Sequence, residues 1–172
     1  MKTKGKLLKK ILAVSIACSM VIMGSFMTDS INQIVNAESK NLISNSTFDR
    51  DTTGWNIYRA SGGDASLLLE NGKLALKVNS VGTLNYSVQL FYDIIPLYQN
   101  GVYRLSYEIS STIDRRVEGM IQQNGGTYQA YTWKGLDLTQ EPLKVDYTFT
   151  MLQENDIMSR LVFNCGDQGE DL

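Results

Sequence analysis

The sequence contains no histidine, two cysteines and two prolines in 172 residues. The lack of histidine excludes serine–histidine triads, histidine zinc sites and imidazole general bases. P-loop, GxSxG, HExxH and dinucleotide-binding glycine patterns are also missing from the sequence. A composition of 43% hydrophobic and 9% aromatic residues nevertheless suffices for one packed domain.

The two cysteines cannot form a disulfide within the mature chain that we predict. Cys18 lies in an N-terminal segment that we expect to be removed, which leaves Cys165 alone. Cys165 alternates with Leu161 and Phe163, so we expect it to point into the core as a small apolar side chain. With no histidine to act as its base, it is not expected to be a nucleophile.

The N-terminus has the pattern of an export signal. Basic residues at 1–10 precede an apolar run at 11–27, and Val35 and Ala37 are small residues suited to the −3 and −1 positions of a cleavage site. This pattern predicts a secretory signal peptide at 1–37 and a secreted domain at 38–172 that has left the membrane. The alternatives are a signal anchor, for which the run is short, and a lipoprotein at Cys18, which Ser15 disfavours.

Charge differs between these two segments. Residues 1–37 carry five lysines and one aspartate, whereas the remaining 135 residues carry 11 basic and 17 acidic side chains. The predicted mature chain therefore has a net charge of −6, which is not the electrostatic footprint of a nucleic-acid-binding protein.

Period-two alternation of apolar and polar residues dominates after residue 37, and it is clearest in Val102–Ser110. Asn71-Gly72 is the strongest short hairpin motif. The predicted strands span 54–59, 67–70, 73–78, 85–92, 102–110, 117–123, 128–133, 143–151 and 160–165. With turns every 8 to 15 residues and no helix long enough for a βαβ crossover, we predict an antiparallel β-sandwich.

Tyrosines and side-chain amides occupy many positions predicted to face outward or to flank loops. They are Tyr58, Tyr86, Gln89, Gln122, Gln123, Asn124, Tyr128, Tyr131 and Asn164. Aromatic rings pack against the C–H faces of a sugar, and amides both donate to and accept from its hydroxyls, so this set suits an oligosaccharide. Tyrosines are also common packing residues, and Tyr103, Tyr107 and Tyr147 alternate with aliphatic residues as core positions do.

Four motifs in order resemble the carbohydrate-binding modules of families 4 and 9, the CenC type. Residues 41–58 read NLISNSTFDRDTTGWNIY and resemble the N-L-[LI]-x-N-x-x-F-[DE] opening with its later Gly-Trp. Residues 86–110 resemble W-x-V-Q-L followed by L-x-x-G-x-x-Y-x-L-S-[FY], and residues 117–131 contain IQQNGGTY, similar to I-x-Q-N-G-x-x-[YW]. Residues 161–166, LVFNCG, are similar to a late F-x-x-G strand.

This resemblance implies a noncatalytic jelly roll whose concave sheet binds a single polysaccharide chain and holds an attached glycoside hydrolase on its substrate. The implied aromatic platforms are Tyr58, Tyr86 and Tyr128, and the implied hydrogen-bonding residues are Gln89, Gln123, Arg160 and Asn164. Tyr86 replaces a tryptophan of many relatives. Trp55 follows Gly54 and is expected in the core, whereas Trp133 is open to interpretation as a cleft rim or a loop plug.

Many members of the family hold one structural calcium. The resemblance places the backbone carbonyls of Thr47 and Gly72 near it, and hard oxygen ligands suit this ion. The aspartate-bearing final strand of the family is not recognisable after Gly166. We therefore expect a module that lacks its last strand, which leaves one sheet edge unpaired.

Three functions agree with these observations. The first is noncatalytic binding of a neutral polysaccharide of the β-glucan, xylan or mannan type by a monomeric domain. The second is a structural or adhesive sandwich of a cell-surface protein without sugar binding. The third is a small sandwich enzyme, for which Glu108 and Glu118 would have to approach each other from separate strands.

Overall fold

The computed structural model describes residues 40–168 and the backbone of residues 19–23. This part of the chain is built from antiparallel strands, as the alternation predicts. They are β1 (Ser19–Met23), β2 (Trp55–Arg59), β3 (Gly63–Glu70), β4 (Lys73–Val81), β5 (Val88–Leu97), β6 (Val102–Ile109), β7 (Arg115–Gln122), β8 (Ala130–Leu138), β9 (Leu143–Thr150) and β10 (Asp156–Asn164). Within the described ranges no helix has the length and apolarity to cross a membrane.

The strands form two packed layers. One layer is a five-stranded sheet with the order β2-β5-β10-β7-β8, and the other contains the sheet β1-β6-β9, while β3 and β4 form a separate two-stranded sheet. The layers meet where the Tyr107 ring of β6 packs edge-on against the Phe163 ring of β10, with centroids 5.2 Å apart. Gly119 of β7 lies beside this contact, where an added Cβ would approach the Tyr107 Oη to 2.8 Å.

Alternating residues of both layers fill the core, as the pattern of β6 predicts. Tyr103, Leu105, Tyr107 and Ile109 are all buried. Tyr147 differs slightly from the prediction, because it is half-buried at the margin and packs against the core rather than within it.

Two further core predictions agree with the structure. Trp55 is buried between the rings of Phe48 and Tyr92, with centroid distances of 5.7 and 5.4 Å. Cys165 is fully buried, and this burial raises the pKa of its thiol to about 11. Such a thiol is inert at neutral pH, which agrees with a packing role.

The Asn71-Gly72 hairpin is confirmed. It joins β3 and β4, and both residues have positive φ angles, 53° and 71°, as the tight turn of a two-residue hairpin requires. The opposing strands are in register from Ala65↔Val78 to Glu70↔Lys73.

A bulge in β5 changes which residues face the core near the C-terminal end of this strand. The pairing of β5 with β10 shifts between Ile95↔Ser159 and Tyr92↔Leu161, so that Asp93 and Ile94 both lie opposite Arg160. Ile94 has a φ of 62° and is 62% exposed. The inserted residue reverses the alternation of the strand, and Ile95 therefore returns to the core.

Strand β1 pairs with the edge of β6, from Ser19↔Ser106 to Met23↔Val102. It lies within the apolar run of the predicted signal peptide, and the rest of that peptide falls outside the described residues. Cleavage after Ala37 would therefore remove β1 and leave this edge of β6 unpaired.

Candidate functional site

The outward face of the five-stranded sheet carries three rows of side chains that run across the strands. Alternation along each strand aims every second residue at this face, and the antiparallel register aligns the residues of neighbouring strands. The first row contains Tyr58, Gln89, Asn164 and Glu118, the second contains Asn56, Phe91, Val162, Met120 and Trp133, and the third contains Asp93, Arg160 and Gln122. The rows form one continuous surface.

A hydrogen-bonded chain of polar side chains makes up the first row. The Gln89 Nε2 donates to the Asn164 Oδ1 at 2.8 Å, and the Asn164 Nδ2 donates to the Glu118 Oε2 at 2.8 Å. Asn85 also donates to this oxygen, at 2.9 Å. Glu118 therefore fixes the orientation of the Asn164 amide, and Asn164 in turn holds the Gln89 amide with its oxygen free to accept.

The second row is an apolar floor. Val162 is fully buried at its centre, between Phe91 of β5 and Met120 of β7. Trp133 extends this row onto the edge strand β8 and is 50% exposed. Its position opposite Met120 makes it part of the face rather than a loop plug.

The third row is dominated by Arg160, whose side chain is almost completely buried. Its guanidinium carbon lies 5.3 Å from the centroid of the Phe91 ring and 5.2 Å from that of the Tyr128 ring. The Gln122 oxygen, oriented toward Arg160, accepts from Nη2 at 2.9 Å and from Nε at 3.2 Å. Burial lowers the pKa of Arg160, and the nearby charge of Asp93 opposes this effect.

Three exposed tyrosines stand around these rows. Tyr58, Tyr86 and Tyr128 are 45%, 45% and 53% exposed, so each presents a ring surface to solvent. Together with the polar rows they enclose an open cleft of about 500 Å³, a volume typical of ligand sites. The cleft is lined by Tyr58, Asn85, Tyr86, Gln89, Gln122, Tyr128, Arg160 and Asn164.

The structure brings together most of the residues that the sequence singled out. Tyr58, Tyr86, Gln89, Tyr128, Arg160 and Asn164 all line this cleft. Gln123 does not, because it alternates with Gln122 and lines a second crevice beside the 153–156 loop. Gln122 occupies the cleft position predicted for Gln123.

Tyr131 also departs from the sequence interpretation. It is half-buried, packs against the core and donates from its hydroxyl to the Asp156 Oδ2 at 2.8 Å. Burial and the hydrogen bond to Asp156 raise the pKa of Tyr131 to about 12. Tyr131 therefore lines the second crevice and takes no part in the main cleft.

Sequence reasoning missed the organising role of Glu118 and the participation of Asn85. Asn85 precedes β5 and Glu118 lies on β7, and no local pattern indicates that they meet. The approach of Glu108 to Glu118 that a sandwich enzyme would require is not found, since Glu108 lies on β6 in the other layer, opposite Lys144 of β9.

The predicted calcium ligands Thr47 and Gly72 lie in two loops, one before β2 and one between β3 and β4. The Thr47 Oγ1 donates to the Asp49 Oδ2 at 2.7 Å, and within the described ranges no three acidic, histidine or cysteine side chains are grouped as a metal site. Calcium prefers six to eight oxygen ligands, so backbone carbonyls would have to supply most of them here. The calcium site stays a prediction.

Comparison with known proteins identifies the family. A model of the family described as "Carbohydrate binding domain", CBM 4/9, matches residues 40–169. The chain belongs to this carbohydrate-binding family. Over 108 residues the CBM4/9 chain is 31% identical to Endoglucanase C of Cellulomonas fimi, a match that covers 63% of this chain and 9% of that protein. The chain thus spans only a small part of its curated relative.

Two solved structures share the fold of this CBM4/9 domain. The N-terminal cellulose-binding domain of Cellulomonas fimi β-1,4-glucanase C is 26% identical, with a TM-score of 0.58, and the match covers 70% of this chain and 82% of that domain. A solved CBM4 structure has a TM-score of 0.67 at 23% identity and covers 73% of this chain and 89% of its own. The predicted β-sandwich architecture is thereby confirmed.

Proposed function

We propose that this domain binds a single neutral polysaccharide chain, of the β-glucan, xylan or mannan type, along the cleft of the five-stranded sheet. The observation that carries this proposal is the position of three exposed tyrosine rings around buried, hydrogen-bonded amides. About half of each ring is open to solvent, and such exposed ring faces suit the C–H faces of pyranose rings.

The polar groups of the cleft support the same ligand class. Gln89, Gln122 and Asn164 are each less than a tenth exposed, and they are held by neighbours that fix their donors and acceptors. Fixed amides lose little conformational entropy when hydroxyls replace water, which favours a ligand rich in hydroxyl groups.

Catalysis by the cleft itself is not supported by its carboxylates. Glu118 and Asp93 lie on opposite rows of the face, and neither is among the residues that line the cleft. Glycoside hydrolysis needs two carboxyl groups about 5 to 10 Å apart, on either side of the bond. We therefore propose that the domain binds without cleaving and, as part of a secreted protein, keeps an attached glycoside hydrolase on its substrate.

Affinity electrophoresis tests the proposal directly. The purified domain is run through native gels that contain soluble β-glucan, xylan or mannan, beside a gel without polymer and a protein that does not bind glycans. We expect retardation in at least one polymer gel. Unchanged mobility in all of them would reject polysaccharide binding and favour a structural sandwich domain, and release of reducing sugars from any polymer would reject a noncatalytic role.

A further inference from the structure

The cleft is chemically different at its two ends. At one end the first row presents acceptors, because the side-chain nitrogens of Asn85, Gln89 and Asn164 all donate to neighbouring oxygens. At the other end Arg160 and Gln122 present donors. The two rows are four residues apart along β10, which corresponds to about 13 Å.

The donor end carries a cation, Arg160, that forms no salt bridge in the described part of the chain. Among the described residues, ion pairs form between Arg104 and Asp146 and between Arg116 and Asp137, so Arg160 has no carboxylate at salt-bridge distance. Asp93 is near enough to raise the pKa of Arg160, but its carboxylate accepts from Asn124 at 3.3 Å instead.

The Arg160 guanidinium also has donor groups that are not used within the described part of the chain. Its Nε and Nη2 donate to the Gln122 oxygen, which uses both lone pairs of that oxygen, and its Nη1 has no acceptor in the described part of the chain. The Phe91 and Tyr128 rings flank the guanidinium and hold its plane in place. A fixed guanidinium with free donors at a cleft wall is a geometry that suits a carboxylate.

We propose that this end of the cleft binds the carboxylate of a uronic acid in or on the polysaccharide, so that the preferred ligand is a largely neutral chain that carries acidic residues. This inference rests on the proposed function of the same cleft. Hydroxyl groups of the chain would donate to Asn85 and Gln89, while the carboxylate accepts from Arg160 about 13 Å away. Glu118 lies beyond the screening length at physiological salt, whereas Asp93 is near enough to Arg160 to offset part of its attraction for the acid.

Matched pairs of polymers test this proposal with the intact domain. The pairs are glucuronoxylan and the same polymer after carboxyl reduction, β-glucan and its C6-oxidised form, and mannan and its C6-oxidised form. In every pair that is bound, we expect the acidic polymer to bind at least about tenfold more tightly, which is the effect of one charge-assisted hydrogen bond. The preference should shrink as sodium chloride is raised.

Variants assign the preference to Arg160. Arg160→Gln should abolish the preference by lowering the affinity for the acidic polymer more than the affinity for its neutral partner, whereas Arg160→Lys keeps the charge and should retain part of the preference. Arg104→Gln removes a cation from the opposite layer and serves as the matched control.

The outcomes separate the two proposals. Equal or weaker binding of the acidic polymers by the wild-type domain would overturn the uronic acid inference and leave polysaccharide binding standing. No binding of any polymer would overturn both. If Arg160→Gln fails to fold, the wild-type comparison of each pair and its salt dependence still decide the question.

Discussion

The Asn164 amide donates to the Glu118 carboxylate at 2.8 Å, and this bond joins the central strand of the cleft sheet to its neighbour β7. Through it the orientation of two amides depends on one carboxylate, because Asn164 also accepts from Gln89. The side chain that organises the cleft is therefore distinct from the tyrosines that suit sugar rings.

Glu118→Ala should weaken polysaccharide binding. It leaves the Asn85 and Asn164 nitrogens without their acceptor, and we expect a loss of about 1–3 kcal/mol in binding free energy. Glu118→Gln retains an oxygen acceptor and should lose less. Isothermal titration with the retarding polymer measures both, and an equal loss for Glu108→Ala, on the opposite layer, would contradict a specific role for Glu118.

Replacing the cleft tyrosines should reduce binding without unfolding the domain. Tyr58→Ala, Tyr86→Ala and Tyr128→Ala are each expected to cost about 1–3 kcal/mol of binding if the rings stack on sugars. Their effect on the free energy of unfolding should stay within about 0.5 kcal/mol, since the rings are exposed. Tyr98→Ala, which removes a similarly exposed ring outside the cleft, is the control in affinity electrophoresis.

Replacing Tyr128 with glycine removes the ring and also relieves the backbone strain at this position. Its φ of 54° lies in the left-handed region, which glycine adopts without cost. Tyr128→Gly should therefore bind as weakly as Tyr128→Ala while matching or exceeding its stability in urea denaturation. A variant that binds like the wild type would show that the Tyr128 ring is not part of the site.

Gly119→Ala should destabilise the domain. The added methyl group would lie 2.8 Å from the Tyr107 Oη and 3.3 Å from a Phe163 ring carbon, so the contact between the two layers must open. Overpacking of this kind costs about 1–3 kcal/mol, measurable as a lower urea midpoint. The control is Gly72→Ala, where no atom lies within 4 Å and only the positive φ opposes the change.

Cys165 should resist thiol reagents while the domain is folded. Burial raises the pKa of its thiol to about 11, so the thiolate that reacts is scarce below that pH. Because the folded state favours the protonated thiol, this site contributes no pH dependence below its ordinary pKa near 9 and destabilises the fold as pH rises from there toward 11. Labelling with an aromatic disulfide should become rapid only in denaturant, and rapid labelling at pH 8 without denaturant would contradict complete burial.

The calcium prediction has a thermal test. An ion bound near Thr47 and Gly72 would stabilise the folded state by mass action, so addition of EDTA should lower the melting temperature and excess calcium should restore it. Magnesium, which is smaller and requires a stricter octahedral geometry, should restore less. Identical melting curves in all three conditions would remove calcium from the description of this domain.

Alternation along single strands predicted the fold well because it reports burial directly. The inward face of β6 and the Asn71-Gly72 turn follow from local rules of pleat and turn chemistry. The partner of each strand is not encoded locally, and for that reason the meeting of Asn85 with Glu118 was not foreseen.

Errors in the predicted site arose from irregular strand register and from the family resemblance. The register of β7 with β8 shifts between Ile121↔Thr132 and Gln122↔Ala130, which leaves Tyr131 as an extra residue of β8 that packs against the core. Gln123 was expected in the cleft because of the family resemblance, although the regular alternation of β7, with Val117 and Ile121 in the core, favours Gln122. The bulge at Ile94 could not be predicted from the sequence, because isoleucine is an unfavourable residue for a positive φ.

The strand order has a consequence for how this domain is made. Strand β10, the last of the described strands along the chain, is the central strand of its sheet, and it pairs Asn164 with Gln89 across 75 residues. During synthesis, residues up to 164 must leave the ribosome before the cleft can form. Until then, the edges of the earlier strands remain unpaired. The nascent chain therefore acquires polysaccharide binding late, and its affinity for the polymer can report that folding is complete.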